Sequence, residues 1–60
     1  MKLTDLLKVL YQYTEVQIYT ANNEYIGDFI AMNIDESLHD KKVVEIFINS
    51  NECLEIWIEK

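Results

Sequence analysis

The chain has no arginine, one cysteine, one histidine and one glycine among its 60 residues, and each scarcity closes off a class of function. Arginine is the side chain that grips phosphate and carboxylate groups with two parallel hydrogen bonds. Its absence, with eleven acidic residues against five lysines and a net charge of −6, argues against direct binding to nucleic acid or to an anionic membrane surface. With Cys53 as the only cysteine, no intrachain disulfide can form. Nothing basic flanks Cys53 to lower its pKa, so it reads as a small half-buried residue and not as a reactive thiol. His39 stands in a polar stretch without a serine or cysteine partner at a recognisable spacing, and reads as a surface histidine. Asp35, Glu36 and Asp40 are close in sequence but lack the residue order and the glycine of a calcium-binding loop. No Gly-rich phosphate loop and no Cys/His metal spacing occurs. These absences predict no catalytic residues, no cofactor and no metal, hence a protein that is not an enzyme.

No apolar run approaches the roughly 20 residues needed to span a bilayer. The charges in Met1-Lys2-Leu3-Thr4-Asp5 break the apolar run of an export signal. With a lone cysteine, this predicts a reducing, cytoplasmic location.

Half of the residues are hydrophobic, enough for one small core. A chain this short buries only about 60% of its unfolded surface. Without disulfide or metal it needs an efficient core or a second copy of itself.

The apolar spacing defines an α+β domain over residues 1–60. Leu3, Leu6, Leu7 and Leu10 recur at the helical period. Thr4 is a suitable N-cap and Asp5 complements the helix dipole, so a helix is predicted over 4–12. Four strand segments follow, near 14–21, 24–33, 42–49 and 53–59, arranged as two antiparallel β-hairpins. In the first hairpin, Asn22-Asn23 suits a two-residue turn. That turn pairs Thr20 with Tyr25, Ile18 with Gly27 and Val16 with Phe29, and sets Val16, Ile18, Tyr25, Phe29 and Ala31 on the inner face. Gly27 predicts a bend or bulge at Gly27–Asp28, after which the strand changes the sheet face it serves. Asn33 or Asp35 can cap one short helical turn, with Ile34 and Leu38 pinning it to the core.

In the last hairpin, apolar residues face each other only with an odd loop around Ser50-Asn51-Glu52. Ile48 then pairs with Leu54, Ile46 with Ile56 and Val44 with Ile58. The expected core is Leu6, Leu7, Leu10, Val16, Ile18, Phe29, Ile46, Ile48, Leu54, Ile56 and Ile58. The outer face of this hairpin carries Val43, Phe47 and Trp57 among Glu45, Glu55 and Glu59. Aromatic residues ringed by carboxylates suit a protein interface; the other reading is that the N-terminal helix or the bent strand covers them.

Taken together, Leu6-Leu7, Thr14-Glu15-Val16-Gln17-Ile18-Tyr19, Gly27, Val43-Val44 and Leu54-Glu55-Ile56-Trp57-Ile58 resemble small acidic proteins of unassigned function encoded by Firmicutes and their phages. These have a leucine helix, a T-x-V-x-I-Y strand and a closing hydrophobic strand. The resemblance spans most of the chain and is one of apolar spacing; it implies a phage origin and assigns no site residues. A helix followed by bent strands is also similar to small SH3-like and Sm-like barrels, which usually carry five strands and more glycines. Four strands and one glycine correspond to a half-barrel.

The leading functional expectation is a non-enzymatic protein-binding module that inhibits or modulates a host protein of defence or nucleic-acid-binding type. Its partner is then a basic protein. Carboxylates at alternate strand positions, roughly 6.6–6.8 Å apart, can imitate phosphates. A second expectation is a homo-oligomer that sequesters a small molecule by stacking it on Tyr11, Tyr13, Tyr25 or Trp57. A third is a structural subunit of a larger assembly. A homodimer is expected on the final hairpin, with Trp57 and Phe47 central and the glutamates at the rim.

Overall fold

The computed structural model describes residues 1–60, in the order α1 (Leu3–Leu7), β1 (Glu15–Thr20), β2 (Tyr25–Ile30), β3 (Val43–Ile48) and β4 (Leu54–Ile58), with two short 3-10 turns at Ala31–Asn33 and Glu36–Leu38 between β2 and β3. The strands form one sheet in the order β2-β1-β4-β3. Both expected hairpins form. They are joined by a parallel pairing of β1 with β4, Ile18 beside Ile56 and Thr20 beside Ile58, so the sheet is mixed and open. The final strand therefore lies inside the sheet, and the edges are β2 and β3. The cause is burial. Val16, Ile18, Ile56 and Ile58 are at most 1% exposed, and side-by-side central strands bring these four under one roof.

That roof is α1 and the connection from β2 to β3. Leu3, Leu6 and Ile34 close over Val16, Ile18, Ile56 and Ile58, with Leu7, Leu10, Phe29, Leu38, Val43 and Leu54 packed around them. Leu3, on the leucine stripe, and Ile34, expected to pin the connecting turn to the core, are fully or nearly buried. Ile46 and Ile48 were expected there and are 37% and 68% exposed. Their parity is right, but β3 is an edge strand and the roof does not reach its far end.

The helix is shorter than its leucine spacing predicts and begins earlier. Lys2, not Thr4, takes the N-cap position, and its N–H donates to the Asp5 carboxylate at 3.1 Å. After a turn at Lys8–Leu10 the chain leaves helical geometry, and Gln12 and Thr14 accept backbone bonds from Met32 and Ala31. β-branched Val9 and the tyrosines beyond it are weak helix formers, and so short a helix is held by its packing and by the bonds of its first turn to Asp5, Lys41 and His39.

In the first hairpin, Val16–Phe29 and Ile18–Gly27 pair as expected, but Tyr25 pairs with Tyr19 and not with Thr20. The loop has three residues: the Asn23 N–H reaches the Thr20 carbonyl, the Thr20 N–H reaches the Glu24 carbonyl, and Asn23 adopts φ 67°. Ile26 is the extra residue of the resulting bulge, one position before the expected bend. The shift moves Tyr25 from the inner face to the outer, where it is exposed. Gly27 has no positive φ; a Cβ there would meet the Phe29 ring at 3.3 Å, so the ring lies over the glycine.

The last hairpin has the expected odd loop. Its pairs Ile48–Leu54, Phe47–Glu55, Ile46–Ile56 and Glu45–Trp57 are as read, with Val43 replacing Val44 opposite Ile58. The two hairpin loops share one construction. Thr20 Oγ1 accepts from the N–H groups of Asn22 and Glu24, and Asn49 Oδ1 from those of Asn51 and Cys53; the third loop residue, Asn23 or Glu52, sits at positive φ.

Between β2 and β3, Asp35 caps the expected turn by accepting from the Ser37 N–H at 2.9 Å. That bond lowers the Asp35 pKa below the ordinary aspartate value. His39 is half-buried instead of lying free on the surface: Nε2–H donates to the Ile34 carbonyl, and its own carbonyl accepts from Thr4, tying the connection to α1. No helix is long and apolar enough to cross a membrane.

Candidate functional site

The roof covers one face of the sheet and leaves the other open. Strand alternation places Glu15, Gln17, Tyr19, Glu55, Trp57, Glu45, Phe47, Asp28 and Tyr25 on that open face. Because all four strands lie side by side, one aromatic residue from each falls into a single row. Tyr25 and Tyr19 have ring centroids 5.4 Å apart, Tyr19 and Trp57 stack at 4.7 Å, and Trp57 and Phe47 follow at 6.4 Å. Stacked pairs of this kind add about 0.5–1.5 kcal/mol beyond their buried area, so the row is partly rigid before anything docks on it. The Trp57 Nε1–H is buried and has no acceptor.

Beside the aromatic row runs a polar one. The Asn49 amide donates to Gln17 Oε1 at 3.1 Å and to Glu55 Oε2 at 2.9 Å, linking the end of β3 to β1 and β4. At the β2 end, the Tyr25 hydroxyl donates to the Asp28 carboxylate at 2.6 Å. This bond, helped by desolvation and the nearby negative charge, pushes the Tyr25 pKa above its ordinary value. The contact contributes below the free tyrosine pKa of about 10 and is lost as pH rises through the higher folded value. Asp28→Asn is expected to bring the Tyr25 ionisation back toward about 10 in an alkaline absorbance titration. An unaltered curve would mean that the bond is not held in solution.

Charge is strongly one-sided. The strands contain four acids, Glu15, Asp28, Glu45 and Glu55, and no lysine. Lys2 and Lys8 lie at α1, where they approach Asp40 and Asp5 at 3.9 Å, and Lys60 approaches Glu24 at the same distance. A shallow groove of about 270 Å³ runs along the acid side between Glu15, Gln17, Asp28, Ile30 and Cys53. Asp35, Glu36 and Asp40 do not converge into a group of three able to hold a metal ion.

Of the six residues expected on the outer face, Glu45, Phe47, Glu55 and Trp57 lie on it together. Val43 does not: the bulge at Val44 turns it toward Ile58, and it packs against the core. Glu59 follows β4, exposed, its N–H bonded to the Lys42 carbonyl. Neither α1 nor β2 covers the aromatic residues. Reading the hairpin alone missed Tyr19, Gln17, Tyr25, Asp28 and Asn49. Tyr19 and Gln17 had a visible signal in the alternation of β1, but only the β1–β4 pairing brings them beside Trp57 and Glu55. The four stacking candidates for a small molecule are split, since Tyr11 and Tyr13 pair with each other, edge to face at 5.4 Å, outside the row. No family model, curated protein or solved structure matches the chain.

Proposed function

We propose that the chain is a non-enzymatic binding module whose open sheet face docks a basic segment of a partner protein. The observation that carries this reading is the row Tyr25–Tyr19–Trp57–Phe47, set among four strand acids with no strand lysine. An arginine or lysine laid over such rings gains about 0.5–2 kcal/mol from the ring quadrupole, and the carboxylates of Glu45, Glu55 and Asp28 meet its charge. Arginine is the better fit, because its planar head both stacks and pairs with a carboxylate. A protein that itself binds nucleic acid carries segments of this kind. Occupying one with carboxylates makes the module an inhibitor or modulator of that protein.

The small-molecule reading has less support. None of Tyr11, Tyr13, Tyr25 or Trp57 lines the groove on the acid side, and these four aromatic side chains are split between two places.

The test uses Trp57, the only tryptophan, as the reporter. Titration with an arginine-rich peptide should change its fluorescence, with an affinity that falls as salt is added. Glu45→Lys should weaken binding several-fold, and an acidic peptide of equal length should not bind. If the basic peptide does not bind, or binds with no response to salt or to Glu45→Lys, the reading is wrong.

A further inference from the structure

We infer that two copies of the chain pair through the exposed edge of β3, antiparallel about a two-fold axis at Phe47. The inference stands apart from the peptide-binding reading, and each can fail without the other.

The edge is open and apolar. In the β3–β4 ladder Asn49 is hydrogen-bonded to Cys53, so by alternation the backbone groups of Phe47 and Glu45 point toward β4 and those of Ile46 and Ile48 point outward. Nothing in the chain pairs with them. Met1 and Leu3 bond only to Val43 and Lys41, at the near end of the strand. The side chains on this free stretch are exposed as well: Ile46 37%, Phe47 42% and Ile48 68%. A hollow lined by Leu10, Tyr13 and Leu54 continues the apolar surface beside Ile48. The opposite edge is guarded in the usual ways. β2 carries the bulge at Ile26 and a charged residue, Asp28, within the strand.

The edge also complements itself. Outward-facing residues must bond to outward-facing residues, so Ile46 pairs with Ile48 of the partner subunit and Ile48 with Ile46 of the partner subunit. Phe47 then meets its own copy across the axis in a close, non-hydrogen-bonded pair. This register sets Glu45 opposite Asn49 of the partner subunit and keeps the two Glu45 carboxylates about 13–14 Å apart along the strands, beyond the range at which physiological salt leaves them unscreened. A register centred on Ile46 would run Ile48 into the bulge at Val44 and put Glu45 against an aromatic ring. Pairing at Phe47 joins the two aromatic rows into one that crosses eight strands, with each copy completing the other's face at its Phe47 end. Each copy carries −6, so the dimer tightens as salt is raised, the reverse of the response expected for a basic peptide.

Sedimentation velocity over a concentration series reaching the millimolar range should show a monomer–dimer equilibrium that shifts toward dimer with added salt. Ile48→Lys alters an exposed side chain, so its melting temperature should hold while dimerisation weakens by about tenfold or more, even though the charge repulsion between copies falls. In a Cys53→Ser background, Phe47→Cys should form an intermolecular disulfide on oxidation, and Glu45→Cys should not. A wild type that stays monomeric at every salt concentration, or equal cross-linking from both cysteine variants, overturns the inference.

Discussion

Ile56→Ala is expected to bring the protein to the verge of global unfolding at room temperature. Ile56 is 0% exposed and lies at the centre of the sheet, beside Ile18 on β1 and Ile46 on β3, under the roof formed by Leu3, Leu6 and Ile34. Truncation removes three carbons from a site flanked by backbone on both sides, which cannot collapse to refill the space. Losses of this type run about 2–5 kcal/mol. Stability scales at about 0.05–0.15 kcal/mol per residue, so a chain of this length has only about 3–9 kcal/mol in total. A loss of about 3 kcal/mol lowers the melting temperature by roughly 12–24 °C for so small a domain. Thermal unfolding followed by circular dichroism reads this directly. A shift of only a few degrees would mean that Ile56 is not enclosed. The same truncation at Ile48, which is 68% exposed, should cost far less, although the two residues were equal candidates for the core by spacing.

The second large effect is expected at Asn49, whose side chain is used at both ends. Its oxygen holds the hairpin loop through the N–H groups of Asn51 and Cys53, and its amide reaches Gln17 on β1 and Glu55 on β4. Asn49→Ala removes a loop acceptor comparable to a helix cap, about 1 kcal/mol, and a donor to a carboxylate, about 1.5–3 kcal/mol. These are not independent, and the expected loss is about 2–3 kcal/mol by urea denaturation. Asn49→Asp separates the two roles. It keeps the loop acceptor but sets a second carboxylate against Glu55. Like charges at that distance raise the pKa of the pair, so stability is missing at neutral pH and returns as pH falls and a proton is shared. An Asn49→Asp variant as stable as wild type at neutral pH would show that the Asn49–Glu55 bond does not form. For the same reason, loss of peptide binding in either variant would not bear on the open face.

Much of the fold was legible because it is local. The facing of Val16 and Ile18, and of Leu54, Ile56 and Ile58, follows from alternation alone, since successive strand residues point to opposite faces whatever surrounds them. The odd loop at Ser50–Glu52 followed from the cost of any other register, which would have set Ile46 against Glu55. The cap at Asp35 was legible because a short polar side chain needs only the next few N–H groups. The misreadings share a cause. Tyr25 and Val43 were assigned faces by counting from a neighbour, and one extra residue at Ile26 or Val44 reversed each count. Gly27 marked the first bulge to within one residue, too coarsely to fix the face of Tyr25, and nothing in the local pattern marks the second at Val44.

What the sequence determined by itself was an acidic α+β domain with two hairpins, their central registers, and aromatic residues of the final hairpin alternating away from its aliphatic ones. What only the tertiary structure decided was which strands are central and which are edges. The parallel pairing of β1 with β4 joins segments from opposite ends of the chain, and no periodicity encodes it. It is selected because it buries Val16, Ile18, Ile56 and Ile58 together beneath a roof wide enough for two strands. That choice carries the candidate surface with it: Tyr19 comes to rest on Trp57, Gln17 and Asn49 meet beside Glu55, and β3 is left with an unpaired apolar edge.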